Sequence, residues 1–266
     1  MALIIVGDLI NSTRKAIALA IEQKDQNYLQ DIARRQAEAG ANYIYVITAH
    51  GGDEVADMVW LVDLIQEVVD IPLCIDSPNP QALEAGLSRC RKQGMVNSIS
   101  AEKKRWEAVL PLIIKYKPKV VALCMDSSGM PNTVEKRLAV ADKLVSGLRE
   151  AGVADSDIYL DPVVKPIGVN DQYGLEFLHS TEQLRLKYSD IHIISGLSNI
   201  SHGLPERKLI SRVFAVMSVI KGVDTFILDP LDQTTMSVLA ATEALAGQDD
   251  FCMDYISGVR AGRIKA

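Results

Sequence analysis

Four short apolar runs in this chain lead into a carboxylate or a carboxamide. They are Leu73-Cys74-Ile75 before Asp76, Met95-Val96 before Asn97, Ile158-Tyr159-Leu160 before Asp161, and His192-Ile193-Ile194-Ser195 leading to Asn199. Each run is too short for a helix and reads as a buried strand. If parallel strands alternate with helices, the four polar residues converge on one rim of a barrel or sheet, where α/β proteins place their chemistry. Ionised Asp only accepts hydrogen bonds, whereas Asn both donates and accepts, so the set suits a planar, nitrogen-rich ring. The competing reading is structural: the same residue types cap helices and seal barrel ends.

The elements that must carry them alternate along the whole chain. Strands are predicted at Ala2 to Val6, Tyr43 to Ile47, Leu73 to Ile75, Met95-Val96, Val120 to Cys124, Ile158 to Leu160, His192 to Ser195 and Thr225 to Leu228. Helices are predicted over Asn27 to Ala39, Asp53 to Val69, from Asn79-Pro80 onward, and over Ala101 to Tyr116, Thr133 to Ala151, Gly174 to Tyr188, Pro205 to Lys221 and Thr234 to Leu245, with an extra helix over Cys252 to Ala261. Gly51-Gly52-Asp53 reads as a turn and N-cap, and Pro80 suits a first helical position. Eight β-then-α units in 266 residues predict an α/β protein, a closed (β/α)8 TIM barrel in one domain, with parallel pairing and right-handed crossovers.

Composition narrows the function. A net charge of −6, with no Lys/Arg stripe, argues against nucleic-acid binding. No run approaches the roughly 20 apolar residues of a membrane span. Cys74, Cys90, Cys124 and Cys252 form no C-x-x-C pair and no metal-ligand spacing, so no metal is expected and a reducing, cytoplasmic setting is. Cys74 and Cys124 lie in apolar runs and read as core thiols. Neither G-x-G-x-x-G nor G-x-x-x-x-G-K-[ST] is present. Lys165 follows the sixth strand by several residues, not within it as a Schiff-base lysine would.

With these segments in order, the chain resembles the pterin-binding methyltransferases that move a methyl group between 5-methyltetrahydrofolate and a protein-bound corrinoid. The matching stretches are Gly7-Asp8-Leu9-Ile10-Asn11, Asp76-Ser77, Met95-Val96-Asn97-Ser98, Asp161-Pro162, Gly196-Leu197-Ser198-Asn199-Ile200-Ser201 and Gly203-Leu204-Pro205-Glu206-Arg207. The last is similar to a loop in the folate domain of cobalamin-dependent methionine synthases. The resemblance covers 1–266 as one pterin-binding domain. It implies tetrahydrofolate as substrate, with Asp76, Asn97 and Asp161 on the pterin ring. It implies that Asn199, between Gly196 and Ser198 on one side and Gly203 on the other, hydrogen-bonds N5 or a water there as the leaving nitrogen gains charge. Asn11 is a candidate pterin contact, and His202 is either a second one or an ordinary loop histidine. Arg207 is a candidate for the aminobenzoate or the glutamate tail, or a solvent-facing helix start. The chain lacks an Asp-x-His-x-x-Gly segment, so the corrinoid would arrive on a separate protein. A homodimer is implied as well.

The pattern departs in two places. Relatives often carry Asp-x-Asn at the end of the second strand, where this chain has Tyr45-Val46-Ile47, and Gly-Glu-Arg after the first, where it has Gly7-Asp8-Leu9. Asp8, Asn11 and the Tyr45 hydroxyl or ring are candidates to compensate. The losses leave open a non-catalytic folate-binding barrel. Dihydropteroate synthase is disfavoured, because Asp229 and Asp232 after the last strand would repel a pyrophosphate.

Overall fold

The computed structural model describes residues 3–49 and 52–265. The Ala2 start of the first predicted strand and Gly51 of the predicted turn lie outside them. The strands are β1 (Ile4–Gly7), β2 (Tyr43–Ile47), β3 (Leu73–Asp76), β4 (Met95–Ser100), β5 (Lys119–Leu123), β6 (Ile158–Asp161), β7 (His192–Gly196) and β8 (Thr225–Leu228). They pair in sequence order into a closed, all-parallel barrel, with β8 returning to β1. The helices are α1 (Lys15–Glu22), α2 (Gln26–Glu38), α3 (Glu54–Gln66), α4 (Pro80–Arg89), α5 (Lys103–Tyr116), α6 (Val134–Glu150), α7 (Tyr173–Lys187), α8 (Arg207–Ile220), α9 (Gln233–Leu245) and α10 (Met253–Arg260). This is the predicted TIM barrel.

Two cores hold it. Between strands and helices lies the larger one, from Ile5, Ile44, Leu73 and Val96 out to Leu29, Met58, Leu83 and Val109. Inside the barrel lies the smaller one, including Val6, Tyr45, Cys74, Met95, Tyr159 and Ile194. Side chains alternate across a strand. The next inward positions after Cys74, Met95 and Tyr159 are therefore Asp76, Asn97 and Asp161, one layer higher. The strand period itself aims these residues into the mouth of the barrel. Cys74 and Cys124 are fully buried.

The structure adds an element that the sequence reading passed over. α1 buries Ile17, Ala20 and Ile21. It is only eight residues long, and Arg14 before it makes no side-chain cap, so it lacks the usual start signal. A second difference is β4. The sequence reading ends it at Val96, because Asn97-Ser98-Ile99-Ser100 looks polar. The strand continues instead, with a register shift between Asn97 and Ile99. Ile99 and Ser100 are buried and pair with Ala122 and Leu123 of β5. Helix α8 starts at Arg207, later than the predicted Pro205, with Glu206 before it in the left-handed region.

Candidate functional site

At the end of β1, Gly7 is a glycine because of Gln36: a Cβ there would come within 2.6 Å of Gln36 Oε1. That buried amide oxygen accepts the Leu9 N–H at 3.0 Å and fixes the first loop. Asp8, next in line, is ion-paired with Arg14 at 3.0 Å. Burial raises its pKa, the Arg14 charge offsets part of that, and Asp229 adds to it. Asn11 spends its carbonyl oxygen on its own turn, accepting from Thr13 N at 2.9 Å and Thr13 Oγ at 2.7 Å. Its Nδ2 is the group it still has to offer a ligand.

β3 and β4 bring Asp76 and Asn97 side by side in register. Asn97 Nδ2 donates to Asp76 Oδ2 at 3.2 Å, and the Tyr45 hydroxyl of β2 donates to the same oxygen. Burial pushes the Asp76 carboxyl up to about 6; the Tyr45 hydrogen bond and the Arg105 charge restrain it, and Glu54 adds to it. Burial and the Asp76 charge also raise the Tyr45 hydroxyl far above its ordinary value, so it stays a donor. Arg105, on α5, donates to the carbonyls of Ser98, Pro78 and Ser77 at 2.8, 3.0 and 2.9 Å. It thereby laces the loop after β3 to β4. Ser77 in turn donates to Glu54.

Asp161 closes β6 and pairs in register with Leu123 of β5. Its Oδ1 accepts the Val163 N–H at 2.7 Å. Burial raises this carboxyl to about 6 too, against the restraint of the Val163 N–H and the Arg137 charge. Arg137 is 1% exposed. It donates to Ser180 Oγ at 2.8 Å and, at 3.4 Å, to the carbonyls of Glu176 and Pro131. Lys165 also donates to the Pro131 carbonyl, at 3.2 Å, and lies 3.4 Å from Glu176. The loop after β5 is thus pinned from below, behind Asp161.

Asn199 stands apart from these three. It is exposed, on a 3-10 turn spanning Leu197–Ser201 that follows Gly196 at the end of β7. A Cβ on Gly196 would lie 3.5 Å from its Nδ2. Arg207 holds this turn, donating from Nη2 to the Ser198 carbonyl at 2.8 Å and from Nε to Ser201 Oγ at 3.4 Å. The exposed His202 meets the turn through its backbone, its N–H donating to the Asn199 carbonyl at 3.1 Å. Beside the turn, a cavity of about 480 Å³ opens between Asp8, Arg14, Ser198, Arg207, Lys208 and Asp229, among others. Asp232 lines it as well. Burial works against its charge, but Lys208, the Thr235 N–H and Arg212 more than compensate and hold its carboxyl down at about 2.

The structure therefore joins Asp76 and Asn97 directly. It sets Asp161 at the end of β6 and hangs Gly196, Ser198, Asn199 and His202 on the segment after β7, with Arg207 at the start of α8. The predicted tail contact, Arg207, spends two donors bracing the Asn199 turn. The sequence reading missed Arg105, Arg137 and Val163. Both arginines sit in charged runs that look solvated, Lys103-Lys104-Arg105 and Glu135-Lys136-Arg137. Helical phase was the available signal: Arg105 shares a face with Val109 and Leu112, and Arg137 with Val140, Ala141 and Leu144.

Comparison with known proteins meets this geometry. The chain is 39% identical over 265 residues, 98% of its own length and 98% of the relative's, to a methylcorrinoid:tetrahydrofolate methyltransferase of Eubacterium limosum. It is 27% identical over 241 residues to the methionine synthase of Mycobacterium tuberculosis, matching 85% of this chain but only 20% of that longer protein. Among solved structures, dihydropteroate synthase of Yersinia pestis superposes with a TM-score of 0.69 at 18% identity, covering 92% of this chain and 93% of the other, which is a likeness of fold. Residues 7–229 match the pterin binding enzyme family, and the chain belongs to that family.

Proposed function

We propose that this protein is a methyltransferase that moves a methyl group between N5 of tetrahydrofolate and the cobalt of a corrinoid carried by a separate protein. The observation that carries this is the conjunction of Asp76, Asn97 and Asp161 on β3, β4 and β6 with Asn199 on the turn after β7. It is supported by the full-length likeness to the Eubacterium limosum enzyme. A reduced pterin presents ring N–H and amino donors beside a carbonyl acceptor. Ionised Asp76 and Asp161 accept from the donors, and a charged acceptor strengthens such bonds. Asn97 donates or accepts at the mixed edge. Asn11, Gly196, Ser198 and His202 complete the surround, and Arg207 acts on the ligand chiefly through the turn it braces.

The transfer is a direct displacement. In the demethylating direction the cobalt of the Co(I) corrinoid supplies an electron pair to the methyl carbon, the N5–CH3 bond breaks with its pair left on N5, and N5 takes a proton. The cobalt rises formally to Co(III). An Asn199 amide donating toward N5, directly or through water, fits better as charge shifts there. The chain's task is orientation, for which no covalent enzyme adduct is needed. The cobalt arrives on the partner, so the reading includes no resident metal, and it includes a cytoplasmic setting; no helix among the described residues is long and apolar enough to cross a membrane. A homodimer is part of the same proposal. It is supported by an exposed apolar stripe on α8, Leu209, Val213, Met217 and Ile220, at helical spacing. Light scattering on the wild type and on Val213→Asp tests it.

Stopped-flow absorbance tests the activity. Co(I) corrinoid protein is mixed with 5-methyltetrahydrofolate and enzyme, and loss of the Co(I) band with growth of methyl-Co(III) is the expected result, slowed at least a hundredfold in Asn199→Ala. Tight folate binding without any transfer would overturn the catalytic reading and favour a folate-binding barrel, the alternative raised by Tyr45 and Ile47 on β2.

A further inference from the structure

The two donors on Asp76 come from both flanking strands and end on a single oxygen. Tyr45 reaches Oδ2 from β2 and Asn97 reaches it from β4. Among the described residues no protein donor falls on Oδ1. A carboxylate free to spin about its Cβ–Cγ bond shares a ligand between its two oxygens. Here one oxygen is fixed from two sides, so the carboxylate plane is fixed as well. Tyr45 is itself held: it is 8% exposed, packed in the barrel interior among Cys74 and Met95. A phenol has few rotatable bonds to lose, which makes it an efficient anchor.

We propose that Tyr45 is a positioning residue and, with Asn97, a specificity device: the pair saturates Asp76 Oδ2 so that Oδ1 alone faces the ligand, as a fixed acceptor for one N–H of the bound ring. This rests on the reading of the site as a pterin pocket. It assigns the β2 side of that pocket to the protein's own carboxylate instead of to the ligand. A ring that offers a second acceptor at that edge in place of the N–H meets an oriented negative oxygen and is rejected, which is the stronger form of discrimination.

Among the described residues, the groups acting on Asp76 are Tyr45 from β2, Cys74 on its own strand, Asn97 from β4, Glu54 from α3 and Arg105 from α5, with Asp8, just past β1, acting on Tyr45. Tyr45→Phe keeps the ring and removes only the hydroxyl, so Glu54 and Arg105 stay as they are. The Asp76 carboxyl then loses a hydrogen bond that favours its charged form, and its titration moves upward.

The test has two readouts. In ligand-free protein, the side-chain carboxyl 13C shift of Asp76 is followed against pH in wild type, Tyr45→Phe and Tyr43→Phe. Tyr43 is a buried tyrosine two residues earlier on the same strand, whose hydroxyl meets Tyr159. The expected result is an upward move of the Asp76 midpoint in Tyr45→Phe only. Site-specific 3,5-difluorotyrosine at 45, a stronger donor on the same scaffold, should move it downward, and this arm decides the matter if the Phe variant folds poorly. Calorimetry with 5-methyltetrahydrofolate should show about tenfold weaker binding in Tyr45→Phe at pH 7, as expected for one lost hydrogen bond to a charge, with saturated turnover changed less than threefold. An Asp76 midpoint that is the same in all variants would overturn the inference. The expected midpoint shifts across the variants, together with no folate binding by the wild type, would overturn the pterin reading instead and leave the clamp standing.

Discussion

Val163 donates its backbone N–H to Asp161 Oδ1 at 2.7 Å while holding φ at 65°. A β-branched residue rarely sits in the left-handed region, because its Cβ crowds the backbone there. The sharp return of the chain after Pro162 is what turns this amide back onto the carboxylate. Asp161 and Asp76 thus share a plan: in each, one oxygen is tied by the protein.

The strain at Val163 is measurable. Val163→Gly keeps the N–H and removes the Cβ, so the folded state should gain, by about 1 kcal/mol or less after the extra chain entropy of glycine is counted. Urea denaturation would read it. A variant less stable than wild type by more than 1 kcal/mol would show that the Val163 side chain stabilises the loop more than its backbone strains it.

Stability and folate affinity should respond to pH in opposite directions. Asp76 and Asp161 sit near 6 in the folded protein against an ordinary value of 3.8. Between about pH 4 and 6 the folded state holds protons that the unfolded chain has released. Stability should therefore rise as pH falls through that window, by on the order of 1–3 kcal/mol, and level off above it. The depressed carboxyl of Asp232, near 2, works the other way, its contribution being lost only as pH falls below about 4. Folate needs the ionised acceptors, so its affinity should drop over the same window in which the free protein gains. Denaturation and calorimetry at pH 5 and pH 7 give the two slopes; parallel slopes would contradict the assignment of both carboxylates as ligand acceptors.

Arg207 should matter more to rate than to folding. It is exposed, and its two donors end on the turn that carries Asn199. Arg207→Ala should lower kcat about tenfold or more with a thermal midpoint within a few degrees of wild type. Arg207→Lys should restore little, since a single ammonium cannot reproduce the fork. Equal loss in folate affinity and no loss in kcat would point to direct contact with the ligand.

Arg137 should show the reverse balance. Its guanidinium is buried, and its removal strips donors from Ser180 and the Pro131 carbonyl and a counter-charge from Asp161. Arg137→Ala is expected to cost about 2–4 kcal/mol and to raise the titration of Asp161 further. Chemical denaturation with a pH–rate profile separates the two effects.

Much of this was legible in the sequence. The barrel, its eight strands and the Asp76, Asn97 and Asp161 positions follow from apolar runs that stop on polar residues, because strand period and rim position are local facts. What escaped was long-range. Val96 reads as the end of β4, since pairing of Ile99 and Ser100 with β5 shows only when the neighbour is placed. The Tyr45 hydroxyl is a sequence candidate to fill the β2 side of the pocket, but its partner, a carboxylate 31 positions away, shows only in the fold. Arg105 and Arg137 carry the charge of a surface and the phase of a core, and charge masked phase.

The lacing by Arg105 has a mechanical side. With two carbonyls of the loop after β3 and one of β4 on a single guanidinium, the β3 and β4 margins of the barrel form a single stiff lip, and Arg137 and Lys165 give the β5 and β6 margin a similar underpinning through Pro131. The β7 turn is held at its base by the Ile167 N–H on the Ile200 carbonyl and by Ser211 on Ser201, and at its exposed side by Arg207. A bulky partner settling over this opening would meet a braced rim, with the exposed Asn199 standing proud of it on the β7 side.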